Sequence, residues 1–213
     1  MNQLADNEVY WWRPVEDRPL DTREKILFAA YKEIHCNGFH GASLKNILAR
    51  TGVTKGALYH HFENKLELGY AVLDEVIARR IYWNFIEPLE SFDNPVEGLI
   101  ELIRSAGSKL SMIDIELGCP LTNLAQEMAP IDEGFRVRLI AIYEHWHQST
   151  ADVMIAAKKQ GFLIDEVDPY ALAITIAAAM EGALNAAKVA QNLDKLHQCG
   201  CGLVLYLQLI RKQ

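Results

Sequence analysis

Apolar side chains recur along this chain at intervals of three and four residues, segment after segment, and nowhere in a sustained alternation of two. That spacing puts an apolar stripe on one side of a helix, while strands would need a period of two. The chain is therefore expected to be all-α, with about nine helices and no sheet. Asp21, Thr22 and Glu24 open the first, whose Ile26, Leu27, Ala30, Tyr31 and Ile34 share a face and whose end is set by Gly38. Ser43 caps a second helix that stops at Thr51-Gly52, and Thr54 caps a third that closes near Phe62. A fourth starts after Asn64 and runs to about Glu87, where Pro88 halts it. Further helices are expected from Pro95 to Leu117, Leu121 to Met128, Ile131 to Gln160, Pro169 to Ala190 and Leu196 to Ile210.

Composition matters where it excludes alternatives. Half of the 213 residues are hydrophobic, which supplies a core without a disulfide or metal staple. Cys36, Cys119, Cys199 and Cys201 have neither a disulfide-framework density nor a zinc-like CxxC spacing, so a reducing compartment is expected. The opening MNQLADNEVYWWRP lacks an apolar run of signal length, and the expected location is cytoplasmic. The most apolar segment, Ala171 to Ala190, is alanine-rich and carries Glu181, Asn185 and Lys188, which reads as a packed helix and not a bilayer span. The formal net charge of −7 argues against a nucleic-acid partner until it is divided by segment. Residues 21–65 carry seven bases against four acids, or +3, whereas residues 1–20 stand at −2 and the remainder at −8. A basic head on an acidic body implies two jobs.

The head contains SLKNILARTGVTKGALYHHF, two short helices joined by a tight turn. Gly52 stands where a side chain would obstruct that turn, and Val53 plugs the angle between the helices. The helix after Thr54 presents Lys55, the small Gly56 and then Tyr59 and His60, which suits a first turn approaching base edges in a major groove. Ser43, Lys45, Thr54, Tyr59, His60 and Lys65 are candidates for phosphate contacts, Lys45 for a base edge as well.

The run from Thr22 to Leu68 resembles the DNA-binding head of the TetR/AcrR family of transcriptional regulators. The resemblance rests on Gly38-Phe39, Ser43, Ile47, Gly52, Val53, Thr54, Gly56, Leu58, Tyr59, Phe62, Lys65 and Leu68. Leu48 departs from the family's usual alanine, a change expected to affect packing. The segment from Gly118 to Glu127 resembles the ligand-domain sequence of one subgroup. The resemblance implies a helix-turn-helix domain over residues 21–66, a ligand-binding and dimerisation domain over residues 67–213, and an N-terminal extension over residues 1–20. It further implies a homodimer on a palindromic double-stranded DNA operator, released by a small-molecule effector; no cofactor and no membrane partner are expected.

In the body, Trp83, Met112, Asn123, Glu127, Tyr143, Trp146 and His147 are candidates for a pocket, since such sites combine aromatics with a few polar groups. Phe85 is a further candidate wall. Small residues at Ala173, Ala177, Gly182 and Ala186, with Leu203 and Leu207 on the last helix, are candidates for a four-helix dimer interface. His145 and His147 invite a metal reading, but residues two apart on a helix point about 200° apart and share no site. An enzyme using these histidines as base or Cys119 as nucleophile lacks any supporting triad, phosphate loop or metal spacing. The aromatic cluster Tyr10-Trp11-Trp12-Arg13-Pro14 reads as an arm docked on the body or disordered in preference to a minor-groove contact.

Overall fold

The structure, a computed structural model, describes residues 20–212. The Tyr10–Pro14 cluster lies outside the described residues. Helix α1 (Thr22–Gly41) begins at a reciprocal cap, in which Asp21 Oδ1 accepts from the Glu24 amide and Glu24 Oε2 accepts from the Asp21 amide. It kinks at Gly38, whose φ of 73° lies in the left-handed region that glycine adopts without strain. Helices α2 (Leu44–Thr51) and α3 (Lys55–His61) meet across Gly52, at φ 67°. Thr54 caps α3 by accepting from the Ala57 amide.

The start of α2 corrects one expectation. Ser43 makes no side-chain cap. The buried Glu33 of α1 reaches over instead, accepting from the Ser43 amide at 3.2 Å and from Asn46 Nδ2 at 2.8 Å, with Arg50 3.8 Å away. A buried carboxylate held this way locks α2 against α1.

Helix α4 occupies residues 65–86, capped by Asn64, with two wide π-type stretches at Val72–Ile77 and Tyr82–Ile86. A 3-10 segment, Glu87–Ser91, follows and contains Pro88. The expected helix over 95–117 is two: α5 (Pro95–Lys109) and α6 (Met112–Leu117), because Ser111 and Asp114 cap α6 reciprocally and restart it. Then come α7 (Pro120–Met128), α8 (Glu133–Lys159), α9 (Pro169–Ala190) and α10 (Asp194–Ile210). The described residues contain no strand. One antiparallel bridge, Leu163 with Arg211, ties the tail to the α8–α9 loop.

The apolar faces meet in two main cores. One runs without a break from Ile26, Ile47 and Leu58 of the head through Leu73 and Ile77 of α4 to Leu124, Phe135 and Trp146 of the body. The other joins α5, the C-terminal half of α8, α9 and α10 around Leu99, Met154 and Leu207. Leu48 packs at the edge of the first. Because that core spans α4, the head is anchored along a helix that it shares with the body. Polar ties reinforce the joint. Arg23 of α1 forks onto Glu75 of α4 with two bonds of 2.6 Å, and Tyr70 of α4 donates to Asp132 at the start of α8.

Candidate nucleic-acid interface and cavity

Folding leaves the first turn of α3 open. Thr54, Lys55, Gly56 and His60 are exposed, as is Tyr59 at 42%, while Leu58 and Phe62 point into the head's core. The Lys55 ammonium lies 5.7 Å from the centre of the Tyr59 ring. Lys45 on α2 is exposed as well, and Ser43 is partly buried. Lys65 differs from its neighbours. Its Nζ donates to the His40 carbonyl and lies over the Phe39 ring, so it closes the end of α1 in this conformation. A seven-residue helix offering a lysine, a glycine and a tyrosine on a rigid exposed face can approach the edges of base pairs, its neighbours flanking it for phosphates.

The body holds a second feature, a partly open cavity of about 980 Å³, including space continuous with solvent, between α1 and α4 to α10. Ile77, Phe85, Trp146, Met180, Leu184 and Leu203 supply most of its apolar wall, with Phe85 and Trp146 stacked at 4.9 Å. Its polar members are His35, Arg80, Asn84, Asp114 and Glu181, with Cys119 and Cys199. His35 belongs to α1 of the head. Its Nε2 lies 2.8 Å from the Gly118 carbonyl and its Nδ1 3.2 Å from the Tyr31 hydroxyl. Burial drives its pKa down to about 4, assisted by Lys188 and opposed by the Gly118 carbonyl and Asp114. The ring is therefore neutral, with Nε2–H donating and Nδ1 accepting.

Beside this cavity, a polar recess of about 550 Å³ between α1 and α7 shares His35, Ile77 and Pro120 with it and holds Asn123, Glu127 and Lys188. Glu127 grips the head. It accepts from the Phe39 amide at 2.7 Å, the His40 amide at 2.8 Å and His40 Nδ1 at 2.8 Å. Burial raises its pKa, but those donors outweigh burial and hold the carboxyl below its usual range. Helix α7 thus touches the cavity with Pro120 and the bent end of α1 with Glu127.

The fold and an exposed α3 of this shape can be compared with known proteins. The pattern described as bacterial regulatory proteins of the tetR family matches residues 26–72, and that of the C-terminal domain of LmrA/YxaF-like transcriptional regulators matches residues 95–201. The chain belongs to the TetR family of transcriptional regulators. A relative in this family, the transcriptional regulator AcuR of Cereibacter sphaeroides, is 30% identical over 177 residues, covering 82% of this chain and 80% of its own. The HTH-type transcriptional repressor DhaR of Mycobacterium sp. is 26% identical over 168 residues, covering 76% of this chain and 79% of its own. The crystal structure of a TetR transcriptional regulator from Chloroflexus aurantiacus is 28% identical with a TM-score of 0.79, covering 90% of this chain and 97% of that one.

Within the family fold, the expected pocket residues separate. Trp146 lines the cavity; Asn123 and Glu127 line the recess instead. Tyr143 lies behind the wall and donates to Glu181 at 2.8 Å. Trp83 and His147 line neither space, and Met112 stands 45% exposed at the start of α6. The residues that sequence reasoning missed are His35, Arg80 and Glu181. Glu181 did carry a signal, as a lone acid within an apolar run, but His35 looked like a head residue.

The expected dimer stripe needs correction. Ala173, Ala177, Leu203 and Leu207 are 1%, 2%, 7% and 0% exposed, packed within the chain, so they cannot face a second copy. Nine positions along a helix is a half-turn out of phase, so Ala173 and the exposed Gly182 look opposite ways. The outward stripe of α9 is Ala171, Ile174, Ala178, Gly182, Ala186 and Val189, and that of α10 includes Gly202, Leu205 and Leu209.

Proposed function

We propose that this TetR-family regulator is a ligand-responsive repressor that binds a palindromic operator as a homodimer and releases it when a small molecule occupies the body cavity. The observation that carries the reading is the junction of head and cavity. A side chain of the head's own α1, His35, forms part of the cavity wall, and α7 links that wall to the head through Glu127. An effector that binds one arrangement of this junction better than another shifts the population of head orientations, typically with 1–3 kcal/mol of coupling.

The residues proposed for DNA are Ser43, Lys45, Thr54, Lys55, Gly56, Tyr59 and His60, with Lys65 joining them if it leaves the end of α1. The units proposed are a head over residues 21–66 and a body over residues 67–213, with α4 as their common rod. The outward faces of α9 and α10 are proposed to pack on a second copy. Val189 and Leu209 are 79% and 71% exposed there, and small residues along α9 let helices approach closely. The protein works in the cytoplasm, where its DNA is. The name of DhaR, a repressor, supports the sign of regulation.

Selection of duplexes from a random DNA pool tests the reading. Enrichment of an inverted repeat with half-sites about one helical turn apart is expected. A pool that stays random contradicts it.

A further inference from the structure

Resting on the effector-cavity reading above, we propose that the effector is a cationic amphipathic molecule, an apolar body carrying a protonated amine, held at Glu181. The cavity wall is mostly hydrocarbon and aromatic, so a polar group within it weighs heavily in choosing what enters. Glu181 projects from the middle of α9 into that wall. Its Oε1 accepts from Thr122 Oγ1 at 2.7 Å and from Tyr143 Oη at 2.8 Å. Two hydroxyls from α7 and α8 thus fix the carboxylate's position. Oε2 makes no hydrogen bond with the described residues, and no Lys or Arg nitrogen among them lies within 4.0 Å of the carboxylate. Burial, followed by the charge of Glu181, holds the Tyr143 phenol far above its ordinary pKa, so it remains a donor and never competes as an anion.

The other charges of the cavity point the same way. Asp114, also in the wall, is held by the Ser111 amide and hydroxyl at the start of α6. Among the described residues Arg80 is the one Lys or Arg of the lining, and its guanidinium lies 4.8 Å over the Tyr31 ring, on the α1 side. His35 is neutral, and Lys188 lines the neighbouring recess, where it donates to Asn123 Oδ1. Two carboxylates against one guanidinium give the described lining a net negative charge. An ammonium brought to Oε2 would exchange its water for a positioned, charge-assisted bond without breaking either hydroxyl contact.

Calorimetric titration with three nearly isosteric probes tests this: 1-naphthylmethylammonium, 1-naphthalenemethanol and 1-naphthoate. The expected order of affinity is ammonium, then alcohol, then carboxylate, with the ammonium ahead of the alcohol by about tenfold or more. Glu181→Gln keeps an acceptor for Thr122 and Tyr143 and should bring the ammonium to within about twofold of the alcohol. Tyr143→Phe, which leaves the carboxylate in place, should keep the ammonium ahead, and the wild-type order stands even where a variant fails to fold. Naphthoate binding as tightly as the ammonium, or a cation preference that survives Glu181→Gln, overturns the proposal while leaving the effector cavity intact. Failure of all three probes to bind overturns the cavity reading and the proposal with it.

Discussion

Replacing His35 with glutamine should remove a pH-dependence from the stability of this protein. In the folded chain the imidazole stays neutral down to about pH 4, because burial opposes its charge and Lys188 adds repulsion, whereas an unfolded histidine titrates near 6.5. The unfolded state therefore takes up the proton first. Above about pH 7 both states are neutral and His35 contributes no slope. As the pH falls from about 6.5 towards 4, stability is lost, by about 2 kcal/mol at pH 5 and about 3 kcal/mol in full, at about 1.4 kcal/mol for each unit separating the two pKa values. Glutamine can donate to the Gly118 carbonyl and accept from the Tyr31 hydroxyl, as the neutral ring does at 2.8 and 3.2 Å, but it does not titrate in this range. Urea unfolding of both proteins at one concentration, from pH 7.5 to 4.5, isolates the effect, since every other group cancels in the difference. The wild type should lose about 2 kcal/mol more than His35→Gln between pH 7 and 5. Curves that remain parallel over that interval would show that His35 is not held neutral at the joint of head and body.

Three further outcomes follow from the geometry. Glu127→Ala removes the acceptor of three hydrogen bonds from Phe39 and His40, and should speed hydrogen exchange at both amides while costing about 1–3 kcal/mol of stability. Gly182→Arg, at an outward position with nothing within 4 Å, should leave the monomer folded and abolish the dimer in sedimentation, whereas Leu203→Ala should cost about 2–5 kcal/mol of stability through its buried site. Operator affinity should fall linearly on a log–log plot against salt, since each neutralised phosphate releases counterions; a flat plot would exclude the proposed docking by the head.

The helical plan was legible because the periodicity and the caps at Asp21, Thr54 and Asn64 act locally. So was the exposed face of α3, since Gly52, Val53 and the spacing of Leu58 and Phe62 determine which side is buried. Features that depend on distant partners were not legible. The start of α2 is held by Glu33, ten residues upstream of Ser43, so a sequence reader sees only a serine in a capping position. The break between α5 and α6 hides in a continuous apolar pattern, where the Ser111–Asp114 cap overrides the period. The dimer stripe was legible only in part: Gly182 and Ala186 are exposed but Ala173 and Ala177 are buried, because small residues occur on both sides of α9 and only packing against α8 and α10 reveals which side is spent. The cavity wall drew on α1, assigned by sequence to the head, because the kinked end of α1 leans on α7. His35 and Glu127 carry that junction, separated by more than ninety positions in the chain.

The most direct test of the central claim is the affinity of a selected operator duplex for the wild type, Lys55→Ala and Tyr59→Ala, measured by fluorescence anisotropy at one salt concentration. Both side chains are exposed, so circular dichroism and oligomeric state should be unchanged while affinity falls by about tenfold or more in each variant. Affinities within about twofold of the wild type for both variants would contradict the assignment of α3 as the helix that reads DNA.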